Sequence, residues 1–239
     1  MSTQRIRGIT IDAAGTLITV TRPVGETYAE VARRFGADID PAALAAGFRE
    51  CFHDMPPLAF PGAPPSQMRR LERGWWHDLV HRVVSRAGGV ADFERYFDTL
   101  YEHYARGGAW RAYPEVTAVL TRLRAAGVRL AVVSNFDSRL ENILTSLELD
   151  GYFDAIVYST LAGSAKPDRG IFDRALAEIG VAASEALHIG DSRRADIAGA
   201  AAAGLESVLL VRGDTTPEPP AVADLGALLV RLGIDTSAN

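Results

Sequence analysis

Short apolar runs with the length of β-strands recur along the chain. Five of them stand out, at residues 7–11, 128–133, 152–158, 186–189 and 207–211. A helical pattern precedes each of the last four runs, at residues 114–126, 138–147, 169–179 and 194–203, and three of these patterns end beside a glycine, Gly127, Gly180 or Gly204. Alternating units of this kind predict an α/β protein in which helices cover both faces of a doubly wound parallel sheet.

More than a hundred residues separate the first apolar run from the second, and their pattern is helical. Helices are predicted at residues 26–35, 41–52, 67–86 and 90–106, with proline-rich breaks at residues 55–57 and 60–65. A segment of this size is too long for a loop of a compact domain. We therefore predict a helical cap domain at residues 18–108, inserted into a core domain of residues 1–17 and 109–239, with hinges near residues 18–22 and 107–113.

Composition narrows the class of protein further. The 239 residues are 48% hydrophobic and 23% charged, as in an ordinary globular chain. A formal net charge of −5 argues against a nucleic-acid partner, because affinity for polyanions comes from clustered Lys and Arg. The single Cys51 permits no intramolecular disulfide, and no signal or membrane-spanning segment is recognisable. We expect a cytoplasmic protein without a membrane partner, as a monomer or weak dimer.

The first apolar run ends on a carboxylate. Residues 9–17 read ITIDAAGTL, so Asp12 follows the strand directly and the chain then turns at Gly15. Ligands of an open parallel sheet bind beyond the carboxyl ends of the strands, which makes Asp12 the candidate nucleophile. Ala14 stands two positions further on and offers no acid–base group.

Further polar residues follow the other predicted strands and should lie at the same rim. Ser134 and Asn135 end the second run, Lys166 lies in the loop after the third, and Asp191 closes the fourth with Asp196 after it. Lys166 is the one lysine among 25 basic residues. A GC-rich coding bias explains that ratio, but a lysine kept in such a segment indicates that a compact ammonium is needed there.

These ordered segments resemble the motifs of the haloacid dehalogenase superfamily. The resemblance rests on residues 12–16 (DAAGT), 132–135 (VVSN), 165–168 (AKPD) and 189–192 (IGDS). Pieces at residues 23–28, 74–76 and 134–137 are similar to the subgroup typified by haloacid dehalogenase-like hydrolase domain-containing protein 3. The resemblance implies a Rossmann-like core with strand order 3-2-1-4-5 and a helical cap between the first and second motifs.

The resemblance also implies a phosphoryl-transfer site. Asp12 would attack a small phosphorylated metabolite and form an aspartyl-phosphate, with Ser134 and Lys166 completing the catalytic set. Ser134, Lys166 and the backbone amides around Gly15 and Asn135 would bind the phosphate oxygens.

A Mg²⁺ cofactor is implied at the same place. An anionic nucleophile meets an anionic phosphate only when positive charge offsets the repulsion, and three nearby carboxylates suit a divalent cation. Asp12 and Asp191 would be direct ligands, Ala14 would contribute its backbone carbonyl, and Asp196 would hold a metal-bound water.

Ala14 leaves three functions open. Phosphatases of this superfamily carry an Asp there as general acid and base, a role worth about 10²–10⁴-fold in rate. A Mg²⁺-dependent phosphohydrolase without it should act best on aryl or acyl phosphates, whose leaving groups depart unaided. The alternatives are a catalytically impaired protein that binds metal and phosphate and has a regulatory role, and a haloacid dehalogenase. Asp191 and Asp196 argue against the dehalogenase, which needs no metal.

One related reaction and three polar residues are set aside. A phosphonate-cleaving variant has the pattern Asp-x-Ala-Gly-Thr, but it requires a cap lysine and residues 18–108 contain none. Asp137 and Asp168 are expected to be helix caps or supporting residues, and His188 a satisfied core side chain.

Overall fold

A five-stranded parallel sheet forms the centre of the molecule. The computed structural model of the chain describes residues 6–213 and 221–234. Seven strands occur in these residues: β1 (Gly8–Ile11), β2 (Ile18–Val20), β3 (Trp110–Ala112), β4 (Arg129–Ser134), β5 (Ala155–Tyr158), β6 (Ala186–Gly190) and β7 (Glu206–Leu209). Five of them pair in parallel in the order β5-β4-β1-β6-β7, which confirms the expected order 3-2-1-4-5.

The helices lie close to the predicted positions. Ten α-helices occur in the described residues: α1 (Val24–Arg34), α2 (Pro41–Asp54), α3 (Pro65–Arg86), α4 (Phe93–Tyr104), α5 (Val116–Ala125), α6 (Arg139–Ser146), α7 (Ser159–Ala162), α8 (Arg169–Ile179), α9 (Gly199–Ala202) and α10 (Gly226–Arg231). None of the helices in this part of the chain combines the length and the apolar character needed to cross a membrane.

Two sequence predictions were wrong in detail. The run at residues 152–158 becomes a strand only at Ala155, after a 3₁₀ turn at Asp150–Tyr152. The helical pattern at residues 194–203 divides into a π-helical turn, Arg193–Ala198, and the short α9.

Apolar side chains cover both faces of the sheet. All four residues of β1 and all five of β6 are buried. On one face, Leu120, Ile143 and Leu228 join the sheet to α5, α6 and α10. On the other face, Phe172 and Ala200 join it to α8 and α9. The doubly wound α/β core is therefore confirmed, and it provides a rigid base for the loops at the strand ends.

Helices α1 to α4 pack around an apolar cluster of their own. Tyr28 and Ala32 in α1, and Tyr96 and Leu100 in α4, are buried at helical spacing. Trp75 of α3 belongs to the same cluster. A helical unit thus lies between β2 and β3, while the domain boundaries at residues 17/18 and 108/109 stay predictions.

The two segments predicted as hinges pair with each other. β2 and β3 form an antiparallel ribbon in which Val20 lies opposite Trp110 and Ile18 opposite Ala112. The ribbon continues into the core, because Tyr113 N donates to Leu17 O at 3.1 Å. Both connections to the helical unit therefore leave the core beside the loop that follows β1.

Candidate active site

The predicted polar residues meet at one rim of the sheet. Asp12 follows β1, Ser134 is the last residue of β4, and Asp191 follows β6. Because β4 and β6 flank β1 in parallel, these three residues lie side by side. Lys166 reaches the same place from the loop between α7 and α8.

Lys166 lies buried between two carboxylates. Its Nζ donates to Asp12 Oδ1 and to Asp196 Oδ1, each at 2.6 Å. Only 5% of Lys166 and 6% of Asp12 are exposed, so water screens these charges little. Burial acts to lower the pKa of Lys166, but the two carboxylates outweigh it and the pKa is raised. The ammonium therefore stays charged at neutral pH.

Donors on several sides hold Asp196 in place. Its Oδ1 lies 3.0 Å from His188 Nε2, and its Oδ2 accepts from the backbone N–H of Ser192 at 2.8 Å. Thr10 Oγ1 lies 2.8 Å from His188 Nδ1. Burial lowers the pKa of His188, which favours a neutral ring that donates from Nε2 to Asp196. His188 is thus a buried side chain with both ring nitrogens satisfied.

The backbone around Asp196 is shaped to fit its carboxylate. Asp196 lies in the π-helical turn, a form of helix that is frequent at functional sites. A Cβ on Gly190 would lie only 2.2 Å from Asp196 Cγ, so a glycine is required where β6 ends.

Three carboxylates form a compact acidic cluster. One oxygen from each of Asp12, Asp191 and Asp196 lies within 4.8 Å of the others. Burial, followed by repulsion from Asp12 and Asp196, raises the pKa of Asp191 to about 6. Burial also raises the pKa of Asp12, although Lys166 opposes it. At Asp196 burial acts upward as well, but Lys166 and His188 prevail and hold its pKa well below the usual range.

The cluster fits a hard divalent cation. One ammonium does not offset three carboxylates, and repulsion from Asp12 and Asp196 adds to burial in raising the pKa of Asp191. Carboxylate and carbonyl oxygens are the ligands that Mg²⁺ prefers. Asp12, Asp191 and the carbonyl of Ala14 could hold it directly. Asp196 is better placed for an indirect contact, because protein donors already bind both of its oxygens.

The loop after Asp12 is a tight turn without a titratable side chain. Ala13 O accepts from three backbone N–H groups at 2.8 to 3.2 Å, those of Thr16, Leu17 and Ile18. Ala14 adds only a methyl group, which packs on the apolar core. The loop can therefore bind ligands through its backbone, but it supplies no general acid.

Gly15 is required by the close approach of Asp191. Its φ is +91°, and a Cβ there would lie 2.3 Å from Asp191 Oδ2. The N–H of Gly15 donates to Ile18 O at 2.8 Å, so a phosphate contact from this loop would use a neighbouring amide. The hydroxyl of Thr16 is buried and has no hydrogen-bond partner among the described residues.

Ser134 and Asn135 occupy the neighbouring strand end. Ser134 is 2% exposed. The side chain of Asn135 donates to Lys166 O at 2.9 Å and accepts from Lys166 N at 2.7 Å. Asn135 therefore orients the lysine loop with its side chain, and its backbone N–H is the group it could offer to a phosphate.

Several contacts that join helix α3 to the core were not predicted from the sequence. Glu72 of α3 is fully buried and accepts from Ser138 N at 3.1 Å, Ser138 Oγ at 2.6 Å and Thr160 Oγ1 at 2.5 Å. Trp76 Nε1 donates to Asp137 Oδ2 at 2.5 Å. These contacts attach α3 to the segment that follows Asn135 at the end of β4 and to α7.

A signal for Glu72 was present in the sequence. It lies on the helical stripe of Trp75, Leu79 and Val83, all of which are buried. A carboxylate on an apolar stripe is costly unless it meets donors, so its position indicates a polar partner elsewhere in the chain. The identity of that partner, 66 residues away at Ser138, is not readable from local pattern.

Comparison with known proteins decides the family. A family model described as haloacid dehalogenase-like hydrolase matches residues 6–204. The chain belongs to this hydrolase family. Haloacid dehalogenase-like hydrolase domain-containing protein 3 from Mus musculus is 36% identical over 227 residues, covering 92% of this chain and 87% of the mouse protein. The predicted resemblance to the superfamily and to this subgroup is thereby confirmed.

Solved structures of the family share the fold. A HAD phosphatase from Thermococcus onnurineus superposes with a TM-score of 0.66 at 22% identity, covering 97% of this chain and all of that one. An L-2-haloacid dehalogenase from Xanthobacter autotrophicus superposes with a TM-score of 0.70 at 19% identity, covering 96% of this chain and all of that one. Because proteins with both descriptions share this fold, the fold does not select a substrate.

Proposed function

We propose that this hydrolase is a Mg²⁺-dependent phosphohydrolase that acts on a small phosphorylated metabolite through an aspartyl-phosphate at Asp12. The acidic cluster of Asp12, Asp191 and Asp196 carries the proposal, because cleavage of a carbon–halogen bond has no need of a divalent cation beside its nucleophile. The proposal includes a cytoplasmic monomer or weak dimer with no nucleic-acid or membrane partner.

The protein's own residues account for the first step. Lys166 occupies Asp12 Oδ1, which leaves Oδ2 as the attacking atom. The Oδ2–phosphorus bond forms while the bond to the leaving oxygen breaks, and the leaving oxygen departs with the bonding pair as an anion that solvent protonates. Ser134, Lys166 and backbone N–H groups of the rim would bind the phosphate oxygens, and bound Mg²⁺ would offset the charge of the reacting groups. In the second step water attacks phosphorus and the Oδ2–phosphorus bond breaks, so that the carboxylate of Asp12 is restored and the protons of the water leave with inorganic phosphate or pass to solvent.

Ala14 determines which substrates react well. It cannot protonate the leaving oxygen or activate water, so we expect aryl and acyl phosphates to react faster than alkyl phosphates. For the same reason the aspartyl-phosphate should be long-lived.

The experiment is to restore the missing acid. Ala14→Asp should raise the kcat for an alkyl phosphate by about 10²–10⁴-fold, with a smaller gain for an aryl phosphate. Ala14→Asn is the matched control, since an asparagine side chain has the shape of aspartate but carries no acidic group. Equal rates for both variants, with fold and Mg²⁺ affinity intact, would count against the proposal.

The same residue favours a second candidate. A chain that keeps the metal and phosphate ligands and lacks the general acid could bind phosphate and have a regulatory role. Tight binding of beryllofluoride by the wild-type protein, with no turnover on alkyl, aryl or acyl phosphates, would support that candidate.

A further inference from the structure

A guanidinium outside the sequence motifs holds the turn at Gly15. Arg212, beyond the end of β7, donates from Nε to Gly15 O at 3.2 Å and from Nη2 to Thr16 O at 2.6 Å. Nη2 also donates to Glu115 Oε1 at 2.7 Å, and Cζ lies 3.5 Å from the centre of the Tyr113 ring. The side chain is 17% exposed. One residue thus connects the turn, the segment that returns from the cap, and the edge of the sheet.

The turn's internal hydrogen bonds do not orient these two carbonyls. The backbone bonds within the turn are accepted by Ala13 O and Ile18 O. The carbonyls of Gly15 and Thr16 are bound by Arg212, whose planar fork fixes the directions of both acceptors. The guanidinium therefore sets the tilt of two successive peptide groups.

The absence of a polar side chain at Ala14 makes this support more important. A methyl group forms no hydrogen bond that could anchor the turn, so its orientation depends on backbone contacts. The carbonyl of Ala14 belongs to the peptide group that precedes Gly15, so a rotation at Gly15 would displace this carbonyl and disturb the turn that begins beside Asp12.

Glu115 keeps Arg212 from serving as an anion site. It pairs with the guanidinium directly, and its Oε1 also accepts from Leu225 N at 3.4 Å. With its charge offset inside the fold and Tyr113 against one face, Arg212 is placed to hold backbone rather than to capture a substrate.

We propose that Arg212 is a positioning residue of the active site. It holds residues 13–16 so that the carbonyl of Ala14 and the carboxylate of Asp12 face the same ligand. Its effect on turnover rests on the proposed function, whereas its effect on the turn and on Mg²⁺ binding can be measured without any substrate.

The test compares Arg212→Ala with Arg231→Ala, which removes an arginine from an exposed ion pair with Glu206. In the metal-free protein, Arg212→Ala should speed amide hydrogen exchange at residues 16–18 by about tenfold or more, because bonds to a charged donor are lost. Calorimetry should show weaker Mg²⁺ binding. The kcat for an aryl phosphate should fall by about 10²-fold with KM nearly unchanged, as expected for misplaced groups. Arg231→Ala should match the wild type in all three.

Arg212→Lys keeps the charge but not the fork, and it carries the test if Arg212→Ala does not fold. Arg212→Lys should show the same defects, and added guanidinium ion should restore part of the kcat of Arg212→Ala. Unchanged loop exchange and unchanged Mg²⁺ affinity in both variants would overturn the proposal, even if thermal stability fell. A wild-type protein with no phosphatase activity would overturn the proposed function alone, since exchange and Mg²⁺ affinity still decide the role of Arg212.

Discussion

Lys166 combines a structural and a chemical role in one side chain. Lys166→Met would leave Asp12 and Asp196 buried without their ammonium. Breaking a buried ion pair costs about 3–5 kcal/mol, so we expect the free energy of unfolding in urea to fall by that amount and turnover to be lost. Lys166→Arg should also lose activity, because a guanidinium is too broad for the space between the two oxygens. Wild-type activity in Lys166→Arg would show that a compact ammonium is not needed.

Two glycines give a matched pair of predictions. Gly190→Ala places a Cβ against the Asp196 carboxylate, and we expect it to weaken Mg²⁺ binding and to destabilise the fold. Gly74→Ala adds a Cβ with no atom within 4 Å in the middle of α3. Alanine is the better helix former, so the free energy of unfolding of Gly74→Ala should rise by about 0.5–1 kcal/mol. Thermal unfolding measures the stability of the two variants, and a Mg²⁺ titration measures their affinity for the metal. Equal stability and equal Mg²⁺ affinity in the two variants would contradict the packing described at Gly190.

Helix α3 is fastened to the core by its buried glutamate. Glu72→Gln would place amide hydrogens against Ser138 and Thr160, which donate to the carboxylate in the wild type. We expect the free energy of unfolding to fall by about 1–3 kcal/mol and amide hydrogen exchange at residues 137–139 to become faster. Glu50→Gln, in an exposed pair with Arg86, should change stability by less than about 0.5 kcal/mol. A decrease in the free energy of unfolding that is equally small for Glu72→Gln and Glu50→Gln would mean that Glu72 does not stabilise the contact between α3 and the core.

Local pattern was enough to place most elements, and the exceptions have physical causes. The helix at Arg169–Ile179 was predicted to the residue, since Asp168 accepts from Gly170 N at its start and Gly180 ends it. The β2–β3 ribbon was missed as strands because three-residue segments show no periodicity and pair across ninety residues of chain. The π-helical turn was missed because it depends on where Asp196 finds its partners.

The candidate site was predictable in outline from the ends of the strands. Parallel strands bring Asp12, Ser134 and Asp191 to one rim whatever the loops do, and the motifs supplied Lys166. The supporting contacts were not predictable. Arg212 acts on a carbonyl 197 positions earlier, and a lone arginine after a strand carries no local signal.

An ion-pair cluster at the opposite rim of the sheet contributes stability that is lost in acid. Asp154 accepts from Leu130 N at 2.9 Å and pairs with Arg124 and Arg129, each at 2.6 Å. Burial acts to raise the pKa of Asp154, but these donors outweigh it and hold the pKa below its ordinary value of 3.8. A lowered pKa in the folded state adds stability that is present above 3.8 and is lost as pH falls through the folded value.

Asp154→Asn tests this contribution. We expect lower stability at neutral pH and a smaller further loss below pH 3.8 than the wild type shows. Urea unfolding at a series of pH values measures both. Parallel stability curves for the two proteins across the acid range would contradict the assignment.

The proposed phosphoryl transfer depends on a covalent bond to Asp12. The most direct measurement is the intact mass of the protein after brief incubation with an aryl phosphate and Mg²⁺ and an acid quench. We expect the wild type to gain the mass of one phosphoryl group, a chelator to prevent the gain, and Asp12→Asn to show none. Metal-dependent phosphate release without that adduct, or with Asp12→Asn still active, would contradict the proposed chemistry.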